Sequence, residues 1–209
     1  QIMKSQFPGI TEDVLNQMID FTQLGNILSF TGDLFQIIPI IIAFAFGGVL
    51  ASEIKDNTLV LPLCSGKRFI SVIFSKIIVI GTTLFTAPIA GMIVNFYYTG
   101  ILFDFDVPFT NVIVSGILYG LYFIYLLALI LMWGAFTKNN IITGFLTLGT
   151  SLPLYFLANA FDIHEYFPSV LVKQAGIVLT EIETFDLLKA ILVFIIFTAL
   201  ILSVTMFKL

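Results

Sequence analysis

Charge is what this chain has least of. Lys, Arg, Asp and Glu together make up 11% of its 209 residues, whereas 59% are hydrophobic and Phe alone occurs 23 times. A soluble domain of this length needs far more charge to cover its surface, so the composition excludes one and assigns the chain to a membrane. The single cysteine, Cys64, excludes an internal disulfide framework and any multi-cysteine metal site. The single histidine, His164, lies on a loop beside Asp162 and Glu165. With no H-E-x-x-H anywhere, it reads as a surface residue rather than a metal ligand. No G-x-x-x-x-G-K-[ST] occurs, which excludes nucleotide binding through a Walker loop. Acids outnumber bases, 13 to 9, which argues against nucleic acid as a partner. No signal peptide is visible, and the chain begins with Gln1.

What is present is a set of long apolar runs. A helix needs roughly 20 apolar residues to cross the hydrocarbon core, and five stretches qualify: 34–51, 69–98, 112–136, 141–161 and 187–207. The runs are continuous rather than alternating, which argues against a spanning β-sheet, and backbone groups in lipid must bond within their own segment, which leaves helices. The expected fold is an all-α polytopic bundle. The span centres carry no ionisable residue, unlike ion pumps and proton-coupled carriers. Their deeper polar groups, Gln36, Asn95 and Asn159, suit bonds between helices. Such spans fit an amphiphilic cargo or a path between two subunits. Gly116-x-x-x-Gly120 and Gly47-Gly48 suit close helix contact, most simply within the chain. Pro39, Pro88 and Pro153 are expected to bend their helices.

Orientation follows from the basic residues. If all five runs cross, residues 52–76, the 137–140 turn and the tail share one side. Together they hold Lys55, Lys67, Arg68, Lys76, Lys138 and Lys208, six of nine bases; the other side holds eleven of thirteen acids. Connector 52–68 is therefore expected in the cytoplasm, with 1–33 and 162–186 external, in a multi-pass protein of the cell membrane. An external start without a signal peptide suggests a further spanning helix upstream, six spans in all.

Two external segments carry helix signals. In 7–26, Pro8-Gly9, the N-cap Thr11, the acids Glu12 and Asp13, and a terminal Gly25 bracket Val14, Met18 and Phe21 on one face. The pattern predicts an amphipathic helix at the outer membrane surface. In 162–186, Pro168-Ser169 opens a similar short helix, and Thr180-x-x-Glu183 forms a capping box before the last span.

The charged connector is the most informative stretch. Glu53 to Leu61 has helical composition, with Glu53 in its first turn and Pro62 ending it; Ile54, Thr58 and Leu61 form a mildly apolar face. Ser65 can cap the next helix, which Lys67 and Arg68 open at the headgroups, and Lys76 can snorkel back to that level. Physics alone allows either a membrane-surface connector that meets anionic lipid or a docking element for a soluble partner.

The stretch resembles the permease subunits of ABC-2 type transporters, whose connector after the second span reads roughly E-x-x-x-G-T-L, then a P-x-S-R-like turn, then a helix with an early lysine. Glu53, Asn57-Thr58-Leu59, Ser65 with Lys67-Arg68, and Lys76 match it; Asn57 replaces the usual glycine and "LCSGKR" is a loose version of the turn. The order of elements matches over all 209 residues, lacking the family's first span. The resemblance implies an ABC-2 type helical bundle with five of six spans visible. It also implies that Glu53, Ile54, Lys55, Asp56, Asn57, Thr58 and Leu59 form a coupling helix seated on a separate ATP-binding subunit. Lys67, Arg68 and Lys76 would be its membrane-interface bases. ATP and Mg would be bound by the partner and no cofactor by this chain, which would act in export beside a second copy or paralogue. Two other classes compete. A membrane enzyme, an intramembrane hydrolase or lipid-modifying transferase, would need a catalytic pair, for which only Asp104 with Asp106 or the group around His164 is available. A non-transporting anchor or immunity protein would need only its topology.

Overall fold

The computed structural model describes residues 22–58, 60, 64, 66, 69–161, 166–180 and 187–208, with the side chains of Phe69 and Asn159 set aside. The expected surface helix through Thr11, Glu12, Asp13, Val14, Met18 and Phe21 lies outside the described residues. So do Leu59, Leu61, Pro62, Ser65, Lys67, Arg68, Asp162, His164, Glu165 and Glu183.

The described residues are all-helical, with five helices long and apolar enough to cross a membrane. The first is one 33-residue path, Gln23–Lys55, in three pieces: α1, Gln23–Gln36; α2, Ile38–Phe46; and α3, Gly48–Lys55. It starts well before the apolar run at 34. Thr22 caps it by accepting a bond from the Gly25 amide at 3.0 Å, so Gly25 sits in a first turn, not at a helix end. Gln23, Ile27, Thr31 and Leu34 form its buried face, a helical spacing on which Asp33 stays exposed. Pro39 at the start of α2 has no N–H for the preceding turn, which explains the break at Ile37. The second break, at Gly47, is a packing feature. A Cβ there would lie 2.6 Å from the Asn140 carbonyl oxygen.

Helix α4 spans Phe69–Phe103 and ends at Asp104, which is left-handed at φ 71°. Helix α5, Phe109–Thr137, starts after extended Pro108 and ends at left-handed Lys138, whose N–H donates to the Gly134 carbonyl. Helices α6, Asn140–Ala160, α7, Val170–Thr180, and α8, Leu187–Lys208, follow; among the described residues Val60 and Cys64 of the connector are also helical.

Helix α5 is the axis of the bundle. In its most apolar 18 residues 72% is buried, against 17–39% in the other four spanning helices. It packs on α2, α3, α4, α6, α7 and α8, and the Tyr119 hydroxyl donates to the Thr31 carbonyl of α1 at 2.8 Å. Its sequence suits that place, since it is uncharged and carries small residues where neighbours cross. Cβ atoms at Gly116 and Gly120 would lie 3.0 Å from Ile89 Cα and 2.8 Å from the Phe85 carbonyl oxygen, so this G-x-x-x-G serves the α4–α5 contact inside the chain. The outward faces of α4, α6 and α8 instead expose Ile78, Val79, Ile101, Phe145, Leu188 and Ile196, a surface that only lipid or another apolar chain would match.

Helix α7 departs from the expected surface helix. Pro168 and Ser169 do open it, their carbonyls accepting from Leu171 and Val172. However, Val170, Leu171, Val172, Ala175, Val178 and Leu179 are all buried, packed on α5, α8 and α1. Leu171, Val172, Ala175, Val178 and Leu179 recur at helical spacing, so one face of the helix is turned into the bundle, and Lys173 and Gln174 off that face are only partly buried. Eleven residues give roughly 16 Å, too short to cross.

At the end of the bundle that holds Gln23, one side chain ties three segments. Buried Gln23 donates from Nε2 to the Phe96 carbonyl at 3.2 Å, and its Oε1 accepts from the amides of Asp106 and Val107 at 2.7 and 3.0 Å. Gln23→Ala would leave the Asp106 and Val107 amides without their acceptor, whereas the Phe96 carbonyl still accepts from the Thr99 hydroxyl. The expected loss is about 1–2 kcal/mol, checked by thermal unfolding in detergent. Gln23→Glu should lose at least as much, because the buried carboxylate keeps both amide bonds but sets a second oxygen against the Phe96 carbonyl with no donor between them.

Candidate functional site

The opposite end of the bundle gathers the segments that sequence reading had assigned to one side. The end of α3 and the α5–α6 turn share a cavity of about 260 Å³ lined by Ser52, Lys55, Asp56, Asn139, Asn140 and Ile141. The tail joins them through Lys208, whose ammonium lies 5.5 Å from the centre of the Phe136 ring.

The connector does not begin a helix at Glu53. It ends one. Helix α3 runs through Lys55, and Asp56 is its C-terminal cap. Thr58 N–H donates to the Glu53 carbonyl at 3.1 Å and Asn57 N–H to the Ile54 carbonyl at 3.4 Å, with Asn57 left-handed at φ 56°. This six-to-one, five-to-two pair around a left-handed residue is the Schellman ending, for which glycine is favoured and asparagine is next. The helix therefore stops at the residue that can turn left-handed, before Pro62 is reached. Asn57→Gly should be neutral to slightly stabilising, whereas Asn57→Val should cost about 1–2 kcal/mol, measured by thermal unfolding.

This reversal changes the role of Glu53. In the last turn of α3 its carboxylate faces the negative end of the helix dipole, which disfavours it. Lys76 compensates. Its ammonium lies 2.6 Å from Glu53 Oε1 and donates to the Val49 carbonyl at 2.9 Å. The two side chains are 16% and 34% exposed, so Lys76 is held inside the seam between α3 and α4 and does not snorkel to the surface. Ile54 is partly buried and packs on the core, away from any open apolar face. Lys55, Asp56, Asn57 and Thr58 are exposed, as is Cys64. Of the expected contact residues, then, the structure brings Glu53 to Lys76, turns Ile54 inward, and leaves four consecutive polar residues outward.

Asn139 and Asn140 were not singled out by sequence, although an Asn-Asn pair before an apolar run is an N-cap signal. Asn139 Oδ1 accepts from the Ile141 and Ile142 amides at 3.0 and 3.2 Å, capping α6. The Asn140 side chain lies against Gly48, whose Cβ would come within 2.9 Å of its Nδ2. The glycine pair in the first span thus lets the second connector close onto the first.

Elsewhere, Gln36 is exposed, and the Asn95 amide nitrogen is buried with no partner among the described residues. The α5 tyrosines 119, 122 and 125 are buried, and Phe35 lies against Tyr122 and Tyr155 at 6.1 and 4.2 Å. Nothing in the hydropathy set this aromatic seam apart from the other apolar positions. Among the described residues no three His, Cys, Asp or Glu side chains come together. Asp104 and Asp106 are exposed on the α4–α5 loop, where the Asp106 amide is tied to Gln23.

Fold and helix lengths define a multi-pass helical membrane protein. No family model matches the chain, and neither a curated protein nor a solved structure is significantly similar to it.

Proposed function

We propose that the chain is a permease subunit of an ABC-2 type transporter, exporting a substrate across the cytoplasmic membrane with energy from ATP hydrolysed in a separate subunit. The observation that carries this reading is the Glu53–Thr58 helix ending. Its left-handed residue, Asn57, falls where the resembling pattern has glycine, so one backbone requirement accounts for both residue types. The exposed run Lys55-Asp56-Asn57-Thr58 then offers charge of both signs and free polar groups to the ATP-binding subunit. The seam bond from Glu53 to Lys76 links that surface to the base of α4. Movement of the connector by the partner would tilt α3 against α4. The chain holds no Walker loop, so ATP and Mg belong to the partner, and the assembly requires a second permease copy or paralogue.

Thr58→Cys in a Cys64→Ser background tests this directly. A short bifunctional maleimide should couple position 58 to a copurifying Walker-containing subunit, and ATP should change the yield. If position 58 reacts with membrane-impermeant maleimide from outside intact cells, or if no ATPase copurifies, the reading fails.

A further inference from the structure

We propose that the cavity between the end of α3 and the start of α6 seats a phospholipid headgroup carrying a primary ammonium beside its phosphate. This goes beyond the transport reading and does not depend on it; where Lys55 and Asp56 hold lipid, Asn57 and Thr58, which do not line the cavity, are the residues left to a soluble partner.

The cavity holds opposite charges that do not neutralise each other. Lys55 and Asp56 both line it, and among the described residues neither has an ion-pair partner. A phosphate alone would meet the lysine but be repelled by the aspartate. A phosphate with an ammonium two carbons away satisfies both, through charge-assisted bonds roughly twice as strong as neutral ones. The remaining wall is rich in donors. Asn139 spends its oxygen on the α6 amides, which leaves its NH₂ group, and Asn140 contributes a second amide. Choline has no N–H to donate to Asp56, and glycerol has no charge to offer it.

Size and depth agree. About 260 Å³ lies below the range of drug-sized pockets and suits a headgroup. Lys55 is the last residue of the first spanning helix and Asn140 the first of the fourth. The cavity therefore lies where helices leave the hydrocarbon and headgroups begin. The acyl chains also have a track. Exposed Ile141 lines the cavity, and one turn along α6 exposed Phe145 packs edge-on against exposed Phe44 of α2, ring centres 5.2 Å apart. An apolar strip thus descends along the α2–α6 seam from the polar cavity. That strip argues for an intact lipid over a free headgroup.

The test uses the full chain purified alone and delipidated, with phosphatidylethanolamine, phosphatidylglycerol, phosphatidylcholine and water-soluble glycerophosphoethanolamine as probes. Native mass spectrometry should show phosphatidylethanolamine retained about tenfold more tightly than the other two lipids, with a matching selective rise in unfolding temperature. Asp56→Asn should erase the preference over phosphatidylglycerol while leaving phosphatidylglycerol binding intact or stronger. Lys55→Gln should weaken both. Equal retention of the three lipids, or a preference that survives in both variants, would overturn the proposal. So would an equal response to the soluble headgroup, which would show that the apolar strip contributes nothing.

Discussion

Gly120→Val should separate the α4–α5 hairpin and give the largest loss of stability of any single substitution considered. A side chain at 120 meets the Phe85 carbonyl oxygen at 2.8 Å, and at 116 the Ile89 Cα at 3.0 Å. Both are backbone atoms of the facing helix, so no rotamer change relieves the clash; α4 itself must move. Overpacking typically costs 1–3 kcal/mol and more where the neighbour cannot yield. Here the contact joins the central helix to the longest one, and about 3 kcal/mol or more is expected. For a chain of this size that is a fall of roughly 6–12 °C in unfolding temperature. Gly120→Ala should already be harmful. Gly149→Ala is the matched control, because nothing lies within 4 Å of the added Cβ and alanine favours the helix by up to about 1 kcal/mol. Equal effects at 120 and 149 would show that the helices do not approach here as closely as the structure has them.

Lys76→Ala ranks second. It strands the Glu53 carboxylate and removes a donor from the Val49 carbonyl. Removing one partner of a fully buried pair costs about 3–5 kcal/mol. Glu53 keeps a third of its exposure and can recover some hydration, so about 2 kcal/mol is expected. Lys76→Met should cost nearly as much, since it keeps the apolar stem but not the charge, and Glu53→Gln should cost less because its amide can remain solvated. In Glu53→Gln with Lys76→Met the cost should fall well below the sum of the single losses. Additive losses in that cycle would mean that the two charges do not interact. The same variants bear on transport. A connector merely lying at the membrane surface would lose stability without losing partner-stimulated activity, whereas a seam that transmits motion would lose both.

Much of this protein was legible in its residues because hydropathy acts over whole helices. Composition alone excluded a soluble domain, and the five apolar runs coincide with the five long helices of the structure, with ends displaced where the apolar count is a poor guide. The first helix starts at Gln23, because a polar residue on the buried face can be satisfied by backbone groups that come from residues 73 to 84 positions away. No local pattern reports such partners. The start of the connector helix was misplaced for a related reason. Helical composition continues past Lys55, but the ending depends on the φ of Asn57, and asparagine accepts either sign of φ. Helix α7 was expected on the surface because its length and opening residues match an interfacial helix; its burial depends on α1, α5 and α8 being in place around it.

The sequence by itself determined that the chain enters a membrane, that helices do the spanning, and where charge is concentrated, since each follows from the cost of exposing apolar surface to water or unbonded backbone to lipid. Only the tertiary structure decided that α5 is the hidden axis, that Lys76 is fastened to Glu53, and that Asn139 and Asn140 meet Lys55 and Asp56 around one cavity. Those are contacts between residues far apart in the chain, and their geometry is set by how closely glycine-bearing helices can approach, a property of pairs of helices that no single segment contains.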